Sequence, residues 1–318
     1  MRSGNTINYN IRTTKSVERR MILEAVRVLM KNTRVKDRRY IGFGSWYFTD
    51  FKLFHKELAI NTMLSIEGSK NDESRVKFNL PFKCTKALMG FSTDILPTID
   101  WNSNHKDFIW MDYDMDLNNS MLNDCEIIFN NVSAGSIYLM TCRKQLLKPS
   151  GPFQTIDEVR REFGDIVPNS AIDDDLKGDS DFKLIRNILC NQINETLRNR
   201  NYSLPVDKKL VFKQLFLFTY RDGVPMTSFG GYICYESDEF DLAKYYLDEF
   251  DFVRQDEERY IIDPPQLTYK ETLLLNAHLP ENEDEYLGNA DVVFIPSPDR
   301  QKYRKLYKYL PNYMDVIY

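Results

Sequence analysis

The chain has 318 residues, 42% of them hydrophobic and 28% charged, and a formal net charge of −5. That size buries a substantial core and fits one large domain or two modest ones, and the acidic balance argues against sequence-independent nucleic-acid binding by the surface as a whole. No stretch approaches the roughly 18 apolar residues that cross a bilayer, and the opening Met-Arg-Ser-Gly-Asn-Thr lacks the apolar core of a secretory signal, so a cytoplasmic location without membrane contact is expected.

The first forty residues depart from the average charge, because Arg2, Arg12, Lys15, Arg19, Arg20, Arg27, Lys31, Arg34, Lys36, Arg38 and Arg39 face few acids. The stretch reads as a solvated helix face or as a local basic patch open to nucleic acid. Residues 16–31 place Val17, Met21, Ala25, Val28 and Leu29 at helical spacing, which predicts an amphipathic helix. Strand and helix then alternate: a strand at 40–43, a helix at 48–61, and a second strand at 62–66 that runs out on Glu67. A third short strand is expected at 76–79, stopped by Pro81, with a helix over 84–96. The next strand, 107–114, has four apolar residues and ends abruptly in carboxylates. A helix at 117–131, with Leu117, Met121, Cys125 and Phe129 on one face, and a fifth strand at 136–141 complete the alternation. Repeats of this pitch require right-handed crossovers and a parallel sheet covered on both faces.

The pattern changes after that point. Two helices, 155–166 and 181–198, flank the acidic linker Ile172-Asp-Asp-Asp-Leu-Lys-Gly-Asp179. Residues 210–220 and 226–235 are β-rich runs joined by Arg221-Asp-Gly-Val-Pro225, and Asp-Gly between such runs is a hairpin signal. An acidic helix, a Pro264-Pro265 break and helices at 269–277 and 297–310 are expected to follow. The five widely spaced cysteines and three histidines draw neither a disulfide framework nor a zinc site, and no metal is expected.

The chemistry gathers on the glycine turn Gly42-Phe-Gly-Ser45 after the first strand and on Glu67 at the tip of the second. Many α/β folds hold an adenosine ribose with such a pair. Five strand and helix units followed by a hairpin inserted into the sheet resemble class I S-adenosylmethionine-dependent methyltransferases, particularly the bacterial O-methyltransferases. The likeness covers about residues 38–235. It implies a Rossmann-like α/β fold with a mostly parallel seven-stranded sheet, a terminal antiparallel β-hairpin, and added helical extensions at residues 1–37 and 236–318.

The resemblance also implies roles. S-adenosylmethionine would be the cofactor, with Gly42, Gly44 and Ser45 at its methionine part, Glu67 on the ribose hydroxyls and Asn79 on adenine. The acid such enzymes carry just ahead of the glycines is replaced by Tyr40 and Ile41, and Asp50 is a candidate substitute for the amino-group contact. Asp112 and Asp114, at the end of the fourth strand, would stand nearest the transferred methyl and orient or deprotonate an oxygen or nitrogen acceptor. The N-terminal helix and residues 236–318 would shape the acceptor site. Two other readings stay open: a noncatalytic methyltransferase-like scaffold working with a protein partner, and an NAD-dependent oxidoreductase, since Gly42, Gly44 and Glu67 meet half of that fingerprint.

Overall fold

A computed structural model describes residues 12–68, 70–101, 104–148 and 151–311. Helix α1 (Thr13–Leu29) precedes β1 (Arg38–Gly42), α2 (Thr49–Leu58), β2 (Met63–Glu67), α3 (Glu73–Phe78), β3 (Thr85–Met89), α4 (Ser92–Ile95), β4 (Lys106–Asp116), α5 (Asn119–Asn131) and β5 (Ile137–Arg143). After these come the two-residue strands β6 (Leu147–Lys148) and β7 (Gly151–Pro152), then α6 (Ile156–Phe163), α7 (Asp181–Asn201), β8 (Leu210–Asp222) and β9 (Val224–Tyr235). Strand β10 (Tyr260–Ile262) and helices α8 (Tyr269–Ala277), α9 (Glu283–Gly288) and α10 (Ser297–Leu306) close the order.

The main sheet runs β3-β2-β1-β4-β5-β9-β8-β10. Strands β1 to β5 are mutually parallel, β9 is antiparallel to both β5 and β8, and β10 is parallel to β8. This is the Rossmann-like plan with an inserted hairpin, extended from seven strands to eight by β10. Three residues in a polar surround carry no period of their own, which is why β10 escapes a reading of the sequence. Chain order reverses between β1 and β4, so a crevice opens beyond their carboxyl ends.

Strand alternation sorts the core onto two faces. Phe108 and Trp110 of β4 pack with α1 and α2 residues such as Val17, Met21, Phe51 and Phe54. Ile109 and Met111 face the other way, among Met121, Cys125, Ile185 and Ile188 of α5 and α7. A small third cluster joins Leu275, Tyr286, Val292, Ile295 and Tyr303 around the last three helices.

Two segments differ from the sequence expectation. Residues 76–79, expected as a strand, belong to α3 and its C-cap, and the strand is Thr85–Met89, inside the expected helix. Val76 and Phe78 mimic a two-residue period, but Val76 is buried and Phe78 is 87% exposed. Ala87, Leu88 and Met89 favour helices in isolation, yet pairing with Ser65, Ile66 and Glu67 overrides that preference. The expected acidic helix after Tyr235 is three short 3-10 turns, interrupted by left-handed backbone at Glu239 and Tyr246.

Candidate functional site

After Gly42 the chain turns over Phe43, Gly44 and Ser45 before entering α2 at Thr49. Ser45 and Phe48 both hold left-handed backbone, with φ of 54° and 48°, an uncommon state for side-chain-bearing residues and a sign of a constrained turn. A Cβ at Gly44 would strike the Phe48 ring and stand 2.6 Å from Ser65 Oγ, so this position requires glycine. Gly44 N donates to Ser65 Oγ and to Glu67 Oε1, each at 2.9 Å, and Ser45 N donates to the same Oε1 at 3.1 Å. Ser65 Oγ adds a third donor to that oxygen at 2.6 Å. Glu67 thus clamps the turn onto the tip of β2.

Beyond this clamp lies a cavity of ≈ 380 Å³ at the carboxyl ends of β1 to β4. Gly44, Ser45, Glu67, Asp112 and Asp114 all line it. Gly42 does not, being buried in β1 where a Cβ would meet the Tyr40 hydroxyl at 2.6 Å and Trp110 O at 3.0 Å. Asn79 is also absent from the wall. Its half-buried side chain donates to Arg75 O at 2.9 Å at the end of α3, because the strand it was expected to end is a helix. Gly90, Phe91 and Ser92 take the place beyond β3, drawn beside Glu67 by Gly90 N donating to Glu67 O at 2.9 Å. Tyr113 also lines the cavity, and its hydroxyl joins Ser92 Oγ on the Asp124 carboxylate of α5.

The expected acceptor-shaping role divides. Arg19 of α1 stands on the wall, whereas none of the lining residues among those described comes after Met121.

Helix α1 supplies an unexpected set of buried charges. Lys15 Nζ reaches Asp112 Oδ1 at 2.7 Å, Glu18 Oε2 at 2.8 Å and the Tyr220 hydroxyl at 3.1 Å, and stands 4.6 Å over the Trp110 ring. Ser228 Oγ joins Glu18 to Thr141 Oγ1 at 2.7 Å, and Trp110 Nε1 donates to that same oxygen at 3.0 Å. Burial opposes the Lys15 charge, but Asp112 and Glu18 outweigh it and hold the ammonium well above its usual range. Burial pushes the Asp112 carboxyl up to about 6 against the pull of Lys15, so it is mostly ionised at neutral pH. Nearby, Arg19 Nε pairs with Asp50 Oδ1, and each side chain is 6% exposed. Burial also opposes the Arg19 charge, and Asp50 and Asp112 again outweigh it.

These contacts take part of the N-terminal charge off the surface, while Arg20, Lys31, Arg34 and Lys36 stay exposed. Lys15, Arg19 and Arg39 are buried in ion pairs, the last with Asp107 at 2.6 Å. Arg38 spends its donors on the Thr33, Leu58 and Met30 carbonyls, and Arg27 pairs with Glu57 at 2.9 Å. Arg2 lies outside the described residues. The signal for the buried set was present in the sequence: Lys15 and Glu18 continue the stripe Ile22, Ala25, Leu29 at helical spacing, charges where a core residue belongs. Among the described residues no three histidine, cysteine or acidic side chains gather as for a metal, and no helix is long and apolar enough to cross a membrane.

A model of the family described as "Putative O-methyltransferase" matches residues 7–318. No curated protein matches the chain. Among solved structures, the O-methyltransferase TomG from Streptomyces achromogenes, in complex with SAM, is similar at 12% identity and a TM-score of 0.36, over 66% of this chain and 79% of that one. Cofactor-bound Rv0187 from MTB is similar at 11% identity and a TM-score of 0.35, over 66% and 78%. SAH-bound PaMTH1 from Podospora anserina follows at 13%, with a TM-score of 0.31, over 66% and 76%. Likeness this distant carries no argument about the site.

Proposed function

The chain belongs to this O-methyltransferase family, and from that premise we propose that it moves the methyl group of S-adenosylmethionine to an oxygen or nitrogen of an acceptor molecule. The observation that carries the reading is Glu67 joined to the Gly44-Ser45 turn at the point where strand order reverses, facing a cavity of ≈ 380 Å³. The residues present fit the cofactor. Gly44 lets the turn pack against Phe48 and Ser65 where a Cβ would clash, and the Glu67 carboxylate held there stands on the cavity wall as an acceptor for ribose hydroxyls. Gly90, Phe91 and Ser92 supply backbone groups, a ring and a hydroxyl for an adenine edge and face.

When bound, the cofactor supplies a methyl on a sulfonium cation, open to in-line attack by a nucleophile. The protein's share is alignment and proton removal. Asp112 and Asp114, near the end of β4, both line the cavity, where a carboxylate can hold an acceptor hydroxyl or amine by its proton. Lys15 fixes the orientation of Asp112 from behind. Aromatic walls from Phe43, Trp46 and Tyr113 exclude water around the exchange.

Calorimetry with S-adenosylmethionine, S-adenosylhomocysteine and NAD tests the reading. Binding of the first two and not the third is expected, as is turnover to S-adenosylhomocysteine with a competent acceptor. A wild-type protein that ignores S-adenosylmethionine, or prefers NAD, refutes it.

A further inference from the structure

We propose that Glu18 of α1 is the positioning residue that leaves Asp112 able to serve as a base: Glu18 shares the Lys15 ammonium, so the cation orients the Asp112 carboxylate without neutralising it. The proposal rests on the methyl-transfer reading above, in which Asp112 takes the acceptor's proton. Asp112 lines the cavity, whereas Lys15 and Glu18 stand behind it, both buried. Lys15 has three N–H donors and three partners for them: Asp112 Oδ1 at 2.7 Å, Glu18 Oε2 at 2.8 Å and the Tyr220 hydroxyl at 3.1 Å. At nearly equal distances neither carboxylate holds the cation alone.

Glu18 is fixed as the ionised partner by a chain of hydrogen bonds that runs in one direction. The Trp110 indole N–H can only donate, and it donates to Thr141 Oγ1 at 3.0 Å. The Thr141 hydroxyl then points to Ser228 Oγ, 2.7 Å away, and the Ser228 hydroxyl to Glu18 Oε1. With Oε1 facing that hydroxyl and Oε2 facing the ammonium, neither oxygen of Glu18 has room for a proton. Packing does not ask for this acid, since an apolar side chain would complete the stripe Ile22, Ala25, Leu29 without burying a charge.

Charge counting gives the consequence. Alone with Asp112, Lys15 would form a neutral buried pair, and a proton arriving on the carboxylate would strand a positive charge. With Glu18 present the set carries a net negative charge, and a proton on Asp112 brings it to zero. A like charge nearby favours the protonated carboxyl and a lone opposite charge the ionised one, so Glu18 separates a working base from a mere salt bridge. Asp112 Oδ2 is the oxygen with no partner among the described residues. As the acceptor O–H or N–H passes its proton there, the acceptor's electron pair bonds the methyl carbon and the C–S pair stays on sulfur. The other groups facing Asp112 do not reverse the count. Arg19 of α1 and Asp50 of α2 offset each other, and Thr141, its register partner on β5, is uncharged. Burial holds the Tyr40 hydroxyl of β1 and the Tyr220 hydroxyl of β8 well above their usual range and so neutral, while Asp114 of β4 is negative like Glu18.

The test is a carboxyl titration of the full chain, read by carbon NMR on labelled aspartate, with the Asp112 signal identified by its loss in Asp112→Asn. Wild-type Asp112 should take its proton at about pH 6. In Glu18→Gln the midpoint should fall by about one pH unit or more, a tenfold or greater loss of proton affinity, because the undivided ammonium then favours the carboxylate. Ser228→Ala keeps the Glu18 charge and removes only its hydroxyl donor, so its midpoint should stay within about 0.3 of wild type. A wild-type Asp112 that titrates below about pH 4 overturns the proposal, a result that needs no variant and stands even if Glu18→Gln fails to fold. So does an unchanged or raised midpoint in Glu18→Gln, or a shift in Ser228→Ala as large as that in Glu18→Gln, which marks a disturbed core rather than a shared cation. Calorimetry of wild type with S-adenosylhomocysteine separates this proposal from the reading beneath it. A chain that titrates as expected but binds no S-adenosylhomocysteine keeps the coupling of Glu18 to Asp112 and loses methyl transfer.

Discussion

Replacing Glu67 by glutamine changes one atom type and removes one charge at the centre of the candidate site. Oε1 accepts from Gly44 N at 2.9 Å, Ser45 N at 3.1 Å and Ser65 Oγ at 2.6 Å, so the side-chain oxygen of glutamine must stay on the turn. Its amide nitrogen then faces the cavity, where ribose hydroxyls need an acceptor. Hydrogen bonds to a charged group are worth about 1.5–3 kcal/mol and neutral ones about 0.5–1.5, so losing the charge across the ribose contacts costs about 2–3 kcal/mol of binding. That corresponds to a Kd for S-adenosylhomocysteine weakened about 30-fold to 150-fold. The turn loses charge assistance as well, partly offset by no longer burying a carboxylate, and a net loss of about 1–2 kcal/mol would lower Tm by roughly 1.5–3 °C for a chain of this size. Calorimetry with S-adenosylhomocysteine, beside thermal melting of the same sample, separates the two effects. Affinity within about threefold of wild type together with a lowered Tm would refute the ribose role and leave Glu67 as a turn clamp alone.

Other substitutions address the surrounding parts. Asp112, with its carboxyl near 6, is about one-tenth ionised at pH 5, so turnover with an acceptor that must lose a proton should rise through pH 6 and level off, and Asp112→Asn should remove that limb. Because the folded value lies above the unfolded one, the folded chain holds more protons between about pH 4 and 6, and the Asp112 contribution to stability falls as pH rises across that window. Urea titrations at pH 4.5 and 7 should show the wild-type difference shrinking in Asp112→Asn. Lys15→Met strands Asp112 and Glu18 without their cation and should destabilise the fold by about 3–5 kcal/mol in urea, and a loss under about 1 kcal/mol would contradict the buried network. Asn79→Ala, at a helix end off the cavity, should leave S-adenosylhomocysteine affinity within about twofold, whereas Phe91→Ala should weaken it about tenfold. Equal effects of these two variants would overturn the placement of adenine beyond β3.

Much of this architecture was legible in order. Elements with strong apolar runs or clean helical stripes, such as β4, α5 and the β8–β9 hairpin, appear within a few residues of where their patterns place them. The weak patterns failed. Residues 76–79 and 84–96 exchange roles because an edge strand rich in alanine, leucine and methionine has no local mark, and only the partner strand β2 selects its conformation. Asn79 was lost from the site with that exchange, and Gly90, Phe91 and Ser92 entered it.

The sequence by itself determined the alternation of strands and helices, the glycine turn, and the acid at the tip of β2, since each depends on residues within a few positions of one another. The two-residue period of β4 likewise suffices to put Asp112 on the face of Phe108 and Trp110. Only the tertiary structure decided what that face meets. Lys15, Glu18 and Arg19 look like a basic helix surface from their neighbours in the chain, and they become buried partners of Asp112, Ser228 and Asp50 because α1 folds across the sheet. Polar pairing at sequence separations of 97 and 210 residues leaves no local trace beyond a charge where an apolar residue belongs.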